Sequence, residues 1–149
     1  MFTSIRLFAL ALLAALVTSD ASVAQTNAQI AADWGLLGTW KNDCGAPNSP
    51  RDGELRYVVR SGKLFHDREF GDRRDSSEVI LATITPDGAI ELVVNFVSLK
   101  QIRQYRFVKE TDGHIHAIFN RDVNTDQYTV KDGKLTANGN DVVSQVQCR

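Results

Sequence analysis

The sequence has few cysteines and almost no net charge, and each scarcity excludes classes of protein. Its two cysteines, Cys44 and Cys148, form no Cys-x-x-Cys pair and have no nearby pattern of cysteine and histidine, so they argue against a zinc-binding or redox motif. The formal net charge is −1. This balance argues against nucleic-acid binding, which requires a concentrated basic face, and against a polybasic membrane-binding patch.

The motifs of common enzyme classes are also missing from the sequence. It has no Gly-x-Ser-x-Gly elbow, no His-Glu-x-x-His pair, no phosphate-binding loop and no dinucleotide-binding fingerprint. Beyond residue 35 it has no helical period of useful length. We therefore expect a protein without a cofactor that acts by binding, and the question of enzymatic activity stays open at this point.

Residues 1–24 have the composition of an export signal. Arg6 supplies a positive charge, residues 7–17 are apolar and uncharged, and residues 22–24 are small enough for a cleavage site. The apolar run is too short to cross a bilayer as a mature helix. We predict a signal peptide at residues 1–24, a periplasmic or secreted location, and no membrane span in the mature chain.

Export would place both cysteines in an oxidising compartment, where a disulfide persists. A bond between Cys44 and Cys148 would close a loop of about 100 residues and contribute about 4 to 5 kcal/mol on the chain-entropy model. The alternative is two free thiols. We predict the disulfide, which would hold the end of the chain beside the first strand.

Most of the remaining chain alternates apolar and polar residues, which is typical of strands with one buried face. Residues 90–96 are the cleanest example, and turn signals such as Asp132-Gly133 follow at hairpin spacing. We predict an all-β fold, an antiparallel up-and-down meander of about 8 to 10 strands closed into a barrel, because closure removes exposed edges. A two-sheet sandwich is the alternative.

The predicted organisation has one folded domain. Residues 25–34 form a flexible lead-in with a short helical turn at residues 28–32, and residues 35–149 form the β-barrel domain. Residues 71–76 are predicted to be a solvated loop. A chain of this length is enough for one core and too short for two.

The Gly38-Thr39-Trp40 tripeptide in the first strand resembles the Gly-x-Trp motif of the lipocalin and wider calycin group. The resemblance implies that Trp40 plugs the closed end of a barrel. It also implies that a basic residue near the last strand, here Arg149, packs over the ring of Trp40. The Trp-Lys-x-Asp-Cys opening with a terminal Cys-Arg is also similar to small periplasmic proteins of Gram-negative bacteria, and that likeness implies no activity.

A lipocalin-like barrel would bind a small hydrophobic or amphipathic ligand in its interior. A barrel of about eight strands has room for either packed side chains or one small ligand, so the alternative is an interior without a cavity. The candidate ligand-binding residues are Tyr57, Val59, Leu92, Val94, Phe96, Tyr105 and Phe107.

Three histidines give a different hypothesis, a metal-dependent enzyme. His114 and His116 would share one face of a strand, and His66 is the third histidine of the chain. Three imidazoles around one ion would form a catalytic zinc geometry with an open position. The alternative is that these histidines lie on the solvent side, and we expect no metal.

Two further hypotheses concern charged residues and loops. Asp67 and Glu69 could aim into a cavity as acid/base groups with raised pKa values, or they could be the exposed charges that protect an edge strand. A protein partner could instead dock on the rim loops at residues 43–53 and 71–77. This partner, a protein of the periplasm, is the alternative to a small ligand.

Overall fold

The structure is a computed structural model that describes residues 24–149. The predicted signal peptide therefore lies outside the described residues, apart from Ala24. Among the residues described, no helix has the length and apolar character needed to cross a membrane.

The described chain folds into one short helix and ten strands. The elements are α1 (Asn27–Trp34), β1 (Gly38–Lys41), β2 (Glu54–Arg60), β3 (Lys63–Phe70), β4 (Arg73–Ile84), β5 (Ile90–Phe96), β6 (Gln101–Lys109), β7 (Ile115–Asp122), β8 (Tyr128–Lys131), β9 (Lys134–Leu135) and β10 (Val146–Cys148). A 3-10 turn at Val97–Leu99 connects β5 to β6.

All ten strands belong to one antiparallel sheet with the order β10-β1-β2-β3-β4-β5-β6-β7-β8-β9. The predicted all-β meander is therefore confirmed. The two outer strands, β10 and β9, are not neighbours in this order, so the sheet is not closed and a barrel is not shown. Ile115 at the start of β7 forms a single antiparallel bridge with Gln145, the residue before β10.

The strand alternation follows the sequence pattern closely in β5 and β6. In β5 every second residue from Ile90 to Phe96 is buried, and in β6 Arg103, Tyr105 and Phe107 are buried. We call the side of the sheet that carries these residues the inner face. The hairpin between β8 and β9 has positive φ angles at Asp132 (53°) and Gly133 (72°), as a type I′ turn requires.

Helix α1 covers one end of the sheet. Thr26 and Gln29 form a capping box at its start, which satisfies two helix donors. Its Asn27 side chain donates to the carbonyl oxygen of Val79 (3.1 Å) and accepts from the backbone N–H of Ala82 (3.0 Å). A β-bulge in β4 frees these two backbone groups, so the helix is fixed to the irregular part of that strand.

The disulfide between Cys44 and Cys148 is present, with 5.5 Å between the two Cα atoms, so this prediction is confirmed. It follows the pairing of β10 with β1, in which Thr39 lies opposite Cys148. The bond joins residues that are 104 positions apart in the chain. The end of the chain is thereby held beside the first strand.

Two local predictions are wrong. Residues 71–76 are not a solvated loop, because β4 begins at Arg73 and Asp75 pairs with Arg68 of β3. In β7, the alternation of the sequence predicts that Ile115, Ala117 and Phe119 share one face, but Phe119 does not share the face of Ala117 in the structure. A register shift places Ala117 opposite Phe107 but Phe119 opposite Arg106. Strong cross-strand pairing overrides the polar composition in the first case, and a bulge reverses the alternation in the second.

Candidate functional site

The inner face carries an aromatic cluster at its centre, built from Tyr57, His66, Phe96, Tyr105 and Phe107. Tyr57 stacks on His66 with 4.8 Å between ring centroids. His66 also meets the rings of Phe96 (5.9 Å) and Tyr105 (5.6 Å) edge-on. Tyr105 stacks on Phe107 at 5.8 Å. The five rings therefore pack against one another on the inner face.

His66 is the most unusual member of this cluster. It is 1% exposed, and neither ring nitrogen has a hydrogen-bond partner among the described residues. Burial and, to a smaller extent, the nearby Arg68 lower the pKa of His66 to about 3. His66 is therefore neutral at physiological pH. Burial also raises the pKa of Tyr57, whose hydroxyl likewise lacks a partner within residues 24–149.

Arg68 closes the same cluster toward the loops that join β3 to β4 and β5 to β6. Its guanidinium lies 4.2 Å from the ring centroid of Phe96. Two of its nitrogens bind the carboxylate of Asp75 at 2.9 and 2.5 Å. This fork geometry neutralises the charge of Arg68, so Arg68 is a structural part of the inner face.

A pocket of about 300 Å³ opens where the inner face meets the chain between β9 and β10. We call it the side pocket. Its back wall comes from the inner face of β2, β6 and β7, and its outer wall comes from β9 and residues 142–145. The lining residues are Asn42, Arg51, Leu55, Tyr105, Phe107, Ala117, Asn120, Leu135, Val142, Val143 and Gln145.

The outer wall of the side pocket presents apolar groups to solvent. Leu135 is 37% exposed and Val143 is 61% exposed. The backbone of Leu135 is held in place because its N–H donates to the carbonyl oxygen of Asn140 (2.8 Å). Gln145 and Ile115 exchange two backbone hydrogen bonds, at 2.9 and 2.7 Å. The wall is therefore an ordered piece of chain with apolar side chains facing a cavity.

A buried cation lies behind the side pocket. Arg103 is 9% exposed, and its guanidinium donates to Asn120 Oδ1 (2.7 Å), Gln101 Oε1 (3.3 Å) and Thr129 Oγ1 (2.9 Å). Asn120 in turn lines the pocket. Burial raises the pKa of Tyr105, another lining residue, and the nearby Arg68 and, to a smaller extent, Arg103 oppose this rise. Asn120 therefore links the guanidinium of Arg103 to the pocket wall.

A larger concavity, with a volume of about 470 Å³, lies on the outer side of β2, β3 and β4. Its lining is highly charged, and the charges are paired with one another. Glu54 binds Arg56, and Glu69 binds Arg74 at 3.0 Å. A surface whose charges already neutralise each other offers little to a ligand. We therefore regard the smaller side pocket as the better candidate site.

The predicted ligand-binding residues separate into three groups in the structure. Tyr105 and Phe107 line the side pocket. Val59 is 43% exposed. The other four are buried in the packed core: Tyr57, Leu92, Val94 and Phe96.

The three histidines do not come together. His66 is buried at the centre of the inner face. His114 and His116 lie at the hairpin between β6 and β7, where Nδ1 of His114 is 3.2 Å from Asp112 and Nδ1 of His116 is 2.8 Å from Glu110. Ligand atoms of Glu110, Asp112 and His114 lie within 4.8 Å of one another on this hairpin. These groups satisfy each other at the surface.

The residues suggested by the lipocalin resemblance lie in different environments. Trp40 is 2% exposed, and its Nε1 donates to the carbonyl oxygen of Leu36 (2.7 Å) directly after α1. Arg149 is exposed at the end of the chain. The basic residue that does cover a tryptophan is Lys109, whose Nζ lies 4.6 Å from the ring centroid of Trp34.

Asp67 and Glu69 form ion pairs on the outer side of β3. Asp67 binds Arg60 at 2.7 Å, and Glu69 binds Arg74. The hydrogen bond from Arg60 lowers the pKa of Asp67, and burial opposes this change. The pKa of Glu69 is also lowered, first by Asn48. Both groups are thus carboxylates at neutral pH. Of the two predicted rim loops, residues 42–53 form a loop, whereas Gly71 and Asp72 make a tight turn.

Sequence reasoning missed most of the side pocket. It did not select Asn120, Leu135, Val142, Val143 or Gln145. The strands around these residues were predicted. The residues can be recognised as pocket-lining only when the path of residues 142–145 toward β10 and β1 is known. An apolar pair at residues 142–143 beside a polar turn is the one local signal that could have drawn attention to this wall.

No protein-family model matches the chain, and no curated protein or solved structure matches it either. The resemblance to lipocalins therefore stays a prediction.

Proposed function

We propose that the protein binds one small amphipathic ligand in the side pocket. The observation that carries this proposal is the composition of the pocket, in which apolar inner-face residues meet exposed apolar residues of the outer wall. Its volume of about 300 Å³ is at the lower end for ligand sites, which are mostly apolar with a few polar groups. The ligand is therefore small, and the role is that of a non-enzymatic carrier.

The proposal includes a barrel-like, lipocalin-like arrangement of the strands. The bridge between Ile115 and Gln145 supports it, because it links β7 to the segment that leads into β10 and β1. Closure through this bridge would leave β8 and β9 as a flap outside the ring. The side pocket would then lie between the flap and the barrel interior.

We also propose that the mature chain works in the periplasm or outside the cell. The disulfide supports this location, because such bonds persist in oxidising compartments. Fractionation of the producing cells with intact-mass measurement tests it. The mature protein should be found outside the cytoplasm and lack residues 1–24. Full-length chain in the cytoplasm would contradict the proposal.

Binding can be measured with the neutral fluorescent probe N-phenyl-1-naphthylamine, whose emission rises in an apolar site. We expect saturable one-to-one binding to the purified protein. Ala117 lines the pocket, so Ala117→Phe should fill the space and abolish the signal. Ala137 is exposed and lies outside the lining, so Ala137→Phe adds the same phenyl group as a matched control and should bind as the wild type does.

A second pocket variant distinguishes weaker probe binding from a failure of the protein to fold. Leu135 is partly exposed, so Leu135→Asp should fold normally while placing a charge in the outer wall. We expect at least about tenfold weaker probe binding, which corresponds to about 1.4 kcal/mol. Equal probe binding by the wild type and by both pocket variants, with unfolding transitions unchanged, would overturn the proposed site.

A further inference from the structure

We propose that the ligand of the side pocket carries a negatively charged head group on its apolar body, as a medium-chain carboxylate does. This inference rests on the proposed function, because it names the chemical class of the molecule that occupies the same pocket.

The formal charge of the pocket lining has one sign. Arg51 is its only charged residue, and none of the eleven lining residues is an aspartate or a glutamate. Arg51 is exposed at the loop between β1 and β2, and its guanidinium forms no ion pair within the described part of the chain. Asp43 and Asp52 belong to the same loop, but neither lines the pocket. The mouth therefore offers a free cation.

The buried guanidinium of Arg103 gives an independent reason. Its three acceptors are an asparagine, a glutamine and a threonine, all neutral. Asp122 lies opposite Arg103 in register, but its Oδ1 accepts from the backbone N–H groups of Asn124 and Thr125. Buried charges in proteins are normally paired. A buried guanidinium that forms no ion pair among residues 24–149, and whose acceptor Asn120 lines the pocket, favours an anion in that pocket.

Lys41 is a further buried cation, at the end of the strand that leads into the pocket lining. It is 6% exposed, it precedes the lining residue Asn42, and its Nζ donates to the carbonyl oxygen of Ala46 at 2.5 Å. No carboxylate pairs with it in residues 24–149. Several other guanidiniums of the sheet are paired, as in Arg68 with Asp75 and Arg60 with Asp67, whereas Arg73 at the start of β4 forms no ion pair with a described residue. Three cations without an ion pair among residues 24–149 lie in or next to segments that line the side pocket: Lys41, Arg51 and Arg103.

A series of ligands with one tail and three head groups tests the inference. Octanoate, 1-octanol and octylammonium are titrated into the wild-type protein by isothermal titration calorimetry at pH 7.5. We expect octanoate to bind about tenfold more tightly than 1-octanol, since hydrogen bonds to charged groups are stronger than those between neutral groups. Octylammonium should bind most weakly, and added salt should reduce the advantage of octanoate.

Arg51→Gln is the decisive variant, because Arg51 is exposed and its loss should not unfold the protein. It should weaken octanoate about threefold, the range of a solvent-exposed charge pair, and leave 1-octanol unchanged. Arg73 is exposed but does not line the pocket, so Arg73→Gln is the matched control and should leave both affinities unchanged.

The outcomes separate the two proposals. Equal affinity for all three head groups would overturn the anionic ligand and leave the proposed pocket intact. Absence of binding by every member of the series, together with no probe binding, would overturn both. Loss of octanoate affinity in Arg73→Gln as large as in Arg51→Gln would show a general charge effect and would also overturn the assignment to this pocket.

Discussion

Buried polar groups have different surroundings in two regions of the molecule. One region is the end of the sheet covered by α1, and the other is the side that contains the side pocket. At the covered end, the indole nitrogens of Trp34 and Trp40 donate to backbone carbonyl oxygens at 2.8 and 2.7 Å, and the rings fill the core. At the side pocket, Arg103 is buried and forms no ion pair with any residue that the structure describes, while Leu135 and Val143 are exposed to solvent. The first arrangement stabilises the fold, whereas the second keeps features that folding alone does not require.

Loss of the disulfide should have the largest effect. Replacing Cys44 and Cys148 together by alanine should lower the free energy of unfolding by about 4 to 5 kcal/mol, because a long loop in the unfolded chain is no longer closed. Urea denaturation measures the loss. Amide hydrogen exchange should accelerate first in β10 and residues 142–145, on the pocket side, while α1 remains protected. Faster amide hydrogen exchange in α1 than in β10 would contradict the expected difference between the covered end and the pocket side.

Trp40→Ala tests the covered end. The ring is 2% exposed, and deletion of a buried tryptophan costs about 3 to 5 kcal/mol through lost burial and a cavity. The free energy of unfolding should fall by that amount in thermal or urea denaturation, while octanoate affinity should stay unchanged in the folded fraction. A loss below about 1 kcal/mol would show that Trp40 does not support the core.

Acid should destabilise the protein through His66, which lies between the two regions. Its pKa is about 3 in the folded protein and about 6.5 when exposed. The unfolded chain therefore binds more protons below pH 6.5, so stability is full above that pH and declines as the pH falls toward 3. The loss between pH 7 and pH 5 should be about 2 kcal/mol.

His66→Phe provides the control for this pH dependence. It keeps an aromatic ring beside Tyr57 and Phe96 but cannot be protonated. Urea denaturation at a series of pH values should give a flatter profile between pH 7 and pH 5 for the variant than for the wild type. Profiles of equal slope would assign the acid sensitivity to other groups.

Lys109→Met should have the smallest effect. Lys109 covers the ring of Trp34 and donates to the carbonyl oxygen of that residue. Methionine keeps much of the apolar contact, so the loss should be about 1 kcal/mol. The comparison variant is Lys131→Met, because Lys131 lies 5.5 Å from the ring centroid of Tyr128 on a peripheral strand. A larger loss in Lys131→Met would contradict the stabilising role of the covered end.

Strand prediction succeeded where one face is buried and the pattern is strict. The alternation of the sequence predicts strands at residues 90–96 and at about 101–109, and the bounds of β5 and β6 match these segments. It also predicts a final strand from Val142 to Cys148, but β10 begins only at Val146. Residues 142–145 do not belong to a regular strand and form the pocket wall instead. The alternation of apolar and polar residues does not indicate that this segment lies outside the strand.

The candidate site was only partly predictable. Tyr105 and Phe107 were selected because they share the inner face of β6, but most of the other selected residues are buried in the core. Alternation identifies which face a side chain occupies, and it carries no information on whether the space in front of that face is filled. Here α1 and the aromatic cluster fill part of that space, and the side pocket opens where the inner face meets residues 142–145.

The sequence by itself determined the antiparallel meander, most hairpin turns and the pairing of the two cysteines, because these depend on local periodicity, turn residues and simple counting. Only tertiary contacts place His66 in the core with no hydrogen-bond partner in the described chain, move Phe119 off the face of Ala117, and bury Arg103 with no ion pair among residues 24–149. These features arise from contacts between residues that are far apart in the chain. The surroundings of each group depend on β-bulges, on side-chain packing and on the path by which the chain comes back to β1.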